Sequence, residues 1–477
     1  MERNYDYIII GAGAAGLGIA ALLGSEKQKV LTLESHYYPG GCASYFFRNR
    51  YAFDVGATTL SGIKNNGPLS QFLKATNIEL ELLKIDPGII SCIDDKKIRR
   101  FHDPVKYAQE LQQLISNVNH QNILNFLEKQ NKIEEQSLHL INQNLLPKRN
   151  LSELLSLLHP KNTKNVFLSP LLLKSYWDFL PDHLKHNPQL VKVFSEILFI
   201  TAQNDVLNTP ALFGILGVNY PTDTYYHLGG MKGFIKKLSD QAGEIKLRSR
   251  VNKITKDQDL FIVHTDQGSF KTKNVISSLP RKNNLKILNK PIPNDTNDDL
   301  WSAFTLYFTV PKMEIESLYY QIHTDKIPHL LTESFFVSFS HPDDHGRNHN
   351  ERLTVTISSH AKFKLFENLS NEEYQFKKTM VTNFILSKFC ETFKLKSEAI
   401  EHLESGTPKT FEFYTNRHRG EVGGIGHNIH QSLLSRVYFK DLAPNFYEIG
   451  DHVMPGQGIA AVLYGALALK AHLDRQN

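Results

Sequence analysis

The stretch YIIIGAGAAGLGIAALLG, Tyr7 to Gly24, restricts the fold more than any other part of the chain. It opens on an apolar, mostly β-branched run, the pattern of a strand covered on both faces in a parallel sheet. With no spacer the run enters Gly11-Ala12-Gly13-Ala14-Ala15-Gly16, then an alanine- and leucine-rich helix that Gly24 stops. Each glycine has a mechanical role: Gly11 for the tight turn, Gly13 for close approach of a pyrophosphate, Gly16 for strand–helix packing. The helix N-terminus, with Ala14 and Ala15 in its first turn, favours negative charge. Glycines also collect in ordinary loops, so the order of elements matters. Here a second apolar strand, KVLTL, ends in Glu34, 18 residues beyond Gly16, where an acid accepts hydrogen bonds from a ribose. The unit reads as a dinucleotide site.

The following residues choose between a nicotinamide and a flavin. A nicotinamide-binding chain proceeds directly to another βαβ unit. This one turns instead through Pro39-Gly40-Gly41 into SYFFRNRYAFDVGATTLSG, a hairpin-like diversion suited to covering the longer FAD. Near the C-terminus NFYEIGDHVMPGQGIAAVLYGALALKAHL repeats the grammar: a strand over 446–449, Gly450-Asp451, then a helix from Gly458-Ile459 to about Leu473. A helix N-terminus there would face developing negative charge on a reduced flavin. A capped helix without a ligand is the plainer alternative.

With LESHYYPGGCASYFFRNRYAFDVGATTLSG, YYHLGGMKGFIKKL, RSRVNKI, NVISSLP, VSFSHPDD and GTPKTFEFYTNRHRGEVGGIGH between them, these blocks resemble the FAD-dependent carotenoid desaturase and carotenoid isomerase family, which includes retinol-saturase-like enzymes. The resemblance spans nearly the whole chain. It implies an α/β fold, an FAD-binding Rossmann-like domain of glutathione-reductase type with a second, α+β substrate domain. It places Gly11, Gly13, Ala14, Ala15 and Gly16 at the pyrophosphate, Glu34 with Ser35 at the adenosine ribose, and Gly40 and Gly41 along the diphosphate and ribityl chain. Val251 would meet the adenine through its backbone. Gly450 and Asp451 would hold the ribityl side, and Gly458 and Ile459 would lie against the isoalloxazine. One departure is Cys42, where many desaturases of the family carry a basic residue; this leans toward the isomerase-like and late-step desaturase-like branch. Cys42 itself reads as a small packing residue beside the cofactor.

At 477 residues the chain exceeds one ordinary core. Segments 1–70, 221–285 and 416–477 are assigned to a discontinuous FAD domain, and 71–220 and 286–415 to the substrate domain, with the stretch before 415 assignable to either. FTLYFTV, FFVSF and LTVTISS read as strands flooring a cavity. From about 105 to 215 the pattern is helical, with apolar segments NVFLSPLLLKSYWDFL and QLVKVFSEILFITAQ that read as core, or else as a tunnel lid or membrane contact. No run of about 20 apolar residues appears, and the N-terminus enters a strand too early for a signal peptide. Three scattered cysteines fit a reducing compartment and no disulfide framework. The expected location is therefore cytoplasmic, with peripheral membrane association compatible. A net charge of +5 without a basic face points away from nucleic acid. No His/Cys/Asp cluster has metal-ligand spacing, and SHPDDHGRNH reads as a solvated loop. For His452, beside Asp451, a structural hydrogen bond is expected.

No acid–base residue is assigned, because a polyene substrate leaves the redox chemistry to the flavin while the protein positions and excludes water. The leading function is desaturation or redox-neutral isomerisation of a long isoprenoid, with quinone or oxygen both compatible as electron acceptor. Two other readings stand: an amine-oxidase-like or protoporphyrinogen-oxidase-like enzyme of a compact substrate, and a non-catalytic prenyl-lipid carrier.

Overall fold

Five parallel strands carry the N-terminal glycine motif, in the spatial order Glu244–Lys246, Val30–Leu33, Asn4–Ile10, Gly268–Ser277 and Phe446–Glu448. They belong to a computed structural model that describes residues 4–115, 117–141, 168–293, 300–431 and 442–476. Tyr7–Ile10 and Val30–Leu33 are buried throughout, as doubly covered strands must be. The long strand Gly268–Ser277 does two jobs: its first half closes an antiparallel meander with Val251–Asp257 and Leu260–Thr265, and its last residues pair with Phe446–Glu448. Helix Ala14–Ser25 is apolar on every side because it is covered on every side, by the sheet and by helices Gly230–Gln241, Ile459–Asp474 and Pro68–Thr76. Phe72 and Ile78 belong to this core, and Leu285 and Ile287 pack on the sheet's other face.

A second, seven-stranded sheet has the order Glu401–Gly406, Trp301–Pro311, Arg352–Lys362, Ser334–Phe339, Tyr319–His323, Ile90–Ile93, Lys96–Arg99. The stretch before 415 is thus an edge strand of this sheet followed by helix Pro408–Thr415. Alternation decides which side chains face where. Phe304, Leu306, Phe308, Phe335 and Val337 point into a core closed by helix Asn371–Phe393, through Val381, Ile385 and Phe389. Thr305, Tyr307, Tyr319, Gln321 and Phe336 line the opposite side, toward the first unit. Ser370 and Glu373 form a reciprocal capping box at the start of that helix. The α/β class with a Rossmann-like unit and a mixed second unit is the observed architecture.

Helices Pro104–Gln112, His120–Ile141, Pro188–Ala202 and Ala211–Asn219 form a third core. Residue 116 and residues 142–167 of the expected 105–215 helical region lie outside the described residues. Within the region, QLVKVFSEILFITAQ is a helix that buries Leu190, Val193, Phe194 and Ile197. NVFLSPLLLKSYWDFL departs from expectation: its described part is a 3₁₀ turn at Ser169–Leu172 and a one-turn helix at Tyr176–Phe179. Pro170 removes a backbone donor, and the Ser175–Asp178 capping box starts a new element. Among the described residues, no helix is long and apolar enough to cross a membrane.

The SHPDDHGRNH loop is likewise not simply solvated. Asp344 and Arg347 are 2% and 3% exposed. Arg347 pairs with Asp54 at 2.8 Å, and Asp344 accepts hydrogen bonds from the Tyr226 hydroxyl at 2.6 Å and the Gly229 N–H at 2.8 Å. Local polarity suggested solvent, but the partners lie more than 100 residues away in sequence.

Candidate functional site

Three neighbouring parallel strands end at Ile10, Ser277 and Glu448, so Gly11, Ser278 and Gly450 open on one edge of the sheet, where α/β folds place ligands. The glycines there divide by what requires them. Gly11 has φ +90°, and a Cβ on it would lie 2.5 Å from Ser278 Oγ. A Cβ on Gly16 would lie 1.9 Å from the Gly11 carbonyl oxygen. Both are demanded by the chain itself. Gly13 is not: its φ of −70° and ψ of 173° suit any residue, and the nearest atom to an added Cβ is the Gly40 carbonyl oxygen at 4.0 Å. The space beside it is open, at the N-terminus of helix Ala14–Ser25. Gly458, at the N-terminus of helix Ile459–Asp474, has φ +92° and no atom within 4 Å of an added Cβ. Two helix starts therefore face open space in one cavity, which Ala14, Ala15 and Ile459 also line.

The Gly40-Gly41 turn lies against the first loop. Gly40 N–H donates to the Ala12 carbonyl at 2.7 Å, and a Cβ on Gly41 would be 3.2 Å from Gly13 Cα. Glu34, in the wall, accepts from Ala12 N–H at 2.7 Å, His36 N–H at 2.8 Å and Ser35 Oγ at 3.2 Å. Gly16, Ser35 and Val251 stand behind the wall. Ser35 Oγ accepts from Asn416 Nδ2 at 3.3 Å, and Val251 packs with Ile8 and Leu31 while nearby Ser249 N–H donates to the Glu34 carbonyl at 2.7 Å. Gly13 carries the fit to a dinucleotide: a glycine that neither backbone nor packing requires, facing a cradle that a side chain would fill.

Asp451 is bound by a residue the sequence reading did not single out. Arg417 Nη2 donates to both carboxylate oxygens, at 2.8 and 2.9 Å, and Gly423 N–H adds a bond at 3.1 Å. Burial alone would raise the Asp451 carboxyl; the Arg417 guanidinium, with His452 nearby, outweighs it and holds the group well below the usual carboxylate range. The only sequence signal was the pair of arginines in NRHRGEVGG, beside a glycine run. His452 faces Glu448 and Asp451 at 3.9 Å each, beyond hydrogen-bond range, so the expected bond is not formed. Cys42 lines the cavity, and burial pushes its thiol up to about 11. This is the environment of a packing residue, not of a thiolate.

From the glycine loops the cavity, about 1140 Å³, continues into a chamber between the second sheet and the helical layer. Ile197, Ile200, Leu212, Phe213 and Leu216 supply one wall, and Tyr307, Tyr319 and Phe336 the other. His360, also in the wall, is pushed down to about 4 by burial and the Lys362 charge, so it is neutral. His427 stacks on Phe213 at 3.8 Å between ring centroids. Glu134, 5% exposed, enters the wall from helix His120–Ile141, paired with Lys64 at 3.0 Å. Among the described residues no group of three His, Cys, Asp or Glu side chains could hold a metal ion.

Comparison with known proteins fits this geometry. The family model for an NAD(P)-binding Rossmann-like domain matches residues 9–76. Over 98% of this chain and 82% of the relative, the sequence is 25% identical to the chloroplastic prolycopene isomerase of Arabidopsis thaliana. Over 100% of the chain and 87% of the relative, it is 23% identical to the all-trans-retinol 13,14-reductase of Danio rerio. The chain is a flavin-type oxidoreductase, homologous to these carotenoid-related proteins. A putrescine oxidase variant shares the oxidoreductase's fold with a TM-score of 0.61 over 99% of both chains, at 13% identity.

Proposed function

We propose that this oxidoreductase binds FAD and acts on a long hydrophobic isoprenoid, a carotenoid-like polyene, by desaturation or redox-neutral cis–trans isomerisation. Gly11, Gly13, Gly40 and Gly41 would hold the diphosphate, Glu34 the adenosine ribose, Gly450 and Asp451 the ribityl side, and Gly458 and Ile459 the ring system. The FAD supplies reversible two-electron chemistry that no side chain has. The observation that carries the reading is the continuity of the cavity, from the open space beside Gly13 and Gly458 into a chamber walled by aliphatic and aromatic residues. Such walls orient an apolar chain and exclude water. A compact cationic substrate would be served by an unneutralised carboxylate; here Lys64 neutralises Glu134 and three backbone N–H groups cap Asp223. A polyene partitions into bilayers, so the reading includes peripheral membrane contact, supported by Leu173, 82% exposed beside the cavity-lining Leu172. Quinone or oxygen would reoxidise the flavin.

The test is mass-resolved chromatography of linear carotenes and retinoids incubated with the FAD-loaded protein. Loss of a hydrogen pair marks a desaturase, and a retention shift at constant mass an isomerase; gain of a pair would make it a reductase instead. A yellow, flavin-loaded protein that changes no polyene overturns the isoprenoid reading in favour of a compact-substrate oxidase.

A further inference from the structure

We infer that Glu134, clasped between Lys64 and Asn219 in the chamber wall, is the group that exchanges a proton with the substrate chain; this rests on the isoprenoid reading above. Among the described residues five carboxylates line the cavity: Glu34, Glu134, Asp223, Glu404 and Asp451. Four are committed. Backbone N–H groups occupy Glu34 and Asp223, Arg417 and Gly423 hold Asp451, and Glu404 pairs with Arg48 at the half-exposed rim. Glu134 differs. Its Oε2 accepts from Lys64 Nζ at 3.0 Å and Asn219 Nδ2 at 3.2 Å, while Oε1 has no hydrogen-bond partner among the described residues.

The helix presents it rigidly. Ser137 and Leu138, three and four residues on, line the same cavity, and Gln130, four residues before, accepts from the buried Tyr176 hydroxyl at 2.6 Å. The charged groups acting on Glu134 are Lys64, from the loop after Gly62, and Arg100, beyond strand Lys96–Arg99; Asp223 in turn faces Lys64, and Tyr107 and Tyr176 of the helical layer face Arg100. Arg100 acts through Asn219, whose Oδ1 accepts from it at 3.1 Å. Burial raises the carboxyl, and Lys64 opposes the rise, so the group is poised nearer neutrality than a solvated glutamate.

In hydrogen removal one substrate C–H bond breaks with its electron pair leaving as hydride to the flavin. The C–H bond on the adjacent carbon breaks with its electrons forming the new C=C, and its proton passes to Glu134 Oε1. Hydrogen addition is the reverse: the Glu134 O–H breaks as the C–H forms.

Glu134→Gln and Lys64→Met are compared with wild type on the FAD-loaded protein, using whichever polyene the wild type converts. Glu134→Gln should lower turnover by roughly 10²–10⁴-fold with the flavin spectrum unchanged and, where the wild type adds hydrogen, abolish incorporation of solvent deuterium. Lys64→Met should move the carboxyl's limb of the pH profile upward, because the charge opposing the rise is gone. Without substrate, infrared difference spectra of wild type minus Glu134→Gln should show a protonated-carboxyl stretch titrating above the usual carboxylate range, over and above any from other buried carboxyls such as Asp54 and Glu421. Turnover of Glu134→Gln within threefold of wild type, an unmoved limb in Lys64→Met, or a missing stretch each overturns the role of Glu134 alone. A wild type that converts no polyene overturns the isoprenoid reading, and this role with it.

Discussion

Gly13→Asp separates a glycine needed by a ligand from one needed by the fold. The substituted position is the N-cap of helix Ala14–Ser25, with φ −70° and ψ 173°, and an added Cβ meets only the Gly40 carbonyl oxygen at 4.0 Å. Aspartate caps helices at least as well as glycine, by a few tenths of a kcal/mol. The apo protein should therefore unfold within about 0.5 kcal/mol of wild type. The cofactor should respond very differently. A carboxylate about 4 Å from one unit of phosphate charge, at an effective dielectric of about 20, costs about 4 kcal/mol, or roughly a thousandfold in Kd.

The assay pairs urea unfolding of the apo protein with titration of FAD by flavin fluorescence. Gly16→Ala is the control, because its Cβ would lie 1.9 Å from the Gly11 carbonyl oxygen. It must displace backbone, and its apo stability should drop by 1 kcal/mol or more, on the order of an overpacked core. A Gly13→Asp protein that binds FAD within tenfold of wild type, or that is destabilised as much as Gly16→Ala, refutes the reasoning.

Arg417→Gln should make stability respond to pH in the opposite sense to most acid effects. Without Arg417, burial dominates and the folded Asp451 pKa rises above its unfolded value, so stability is lost as pH rises through the new pKa. The deficit, about 3 kcal/mol at pH 7, should shrink toward pH 5, as urea midpoints at the two values will show; a deficit that grows on acidification defeats the argument. Wild type, with its depressed Asp451, keeps this contribution across that range and loses it only at far lower pH. Cys42, with its thiol pushed up to about 11, should resist iodoacetamide at pH 8 in the native state and react on unfolding, read by peptide mass spectrometry. Arg347→Met leaves Asp54 buried without its cation and should cost about 3–5 kcal/mol, measured by denaturant midpoint; a loss under 1 kcal/mol would mean that water reaches the pair.

The parts of the fold legible in the sequence are those written in local grammar. Strand–glycine–helix order at both ends, β-branched runs and the alternation of FTLYFTV each encode their own environment, and the structure places Phe304–Leu306–Phe308 and Thr305–Tyr307 on opposite faces accordingly. What was illegible depends on distant partners. Asp344 and Arg347 look solvated until Asp54 and Tyr226 are brought to them. Arg417 acquires a role only because strand Phe446–Glu448 pairs with Gly268–Ser277 and delivers Asp451 to the cavity. Glu134 sits in an otherwise polar helix segment, NKIEEQS, where Glu135 one residue on is exposed; only the position of Lys64, 70 residues earlier, distinguishes the two.

These paired charges also bear on the chemistry of the chamber. A charge left alone in an apolar cavity is costly and is driven to neutralise, whereas a paired one keeps its position and contributes little net field. Asp451 with Arg417 and Asp223 with its backbone donors follow the second course, and His360 follows the first by remaining neutral; Glu134 stands between them, paired with Lys64 yet raised by burial. The residual field in the chamber is small, as would suit the hydrocarbon substrate proposed above, which offers no charge in return. Specificity there must come from the shape set by the second sheet's inner face and helices Pro188–Ala202 and Ala211–Asn219. On the function proposed above, reactivity would come from two places, a cofactor held beside Gly13 and Gly458 and the uncommitted oxygen of Glu134. Exchanging Ile200 or Leu216 for larger residues should therefore change which polyenes are accepted, whereas exchanging Glu134 should change how fast any of them reacts.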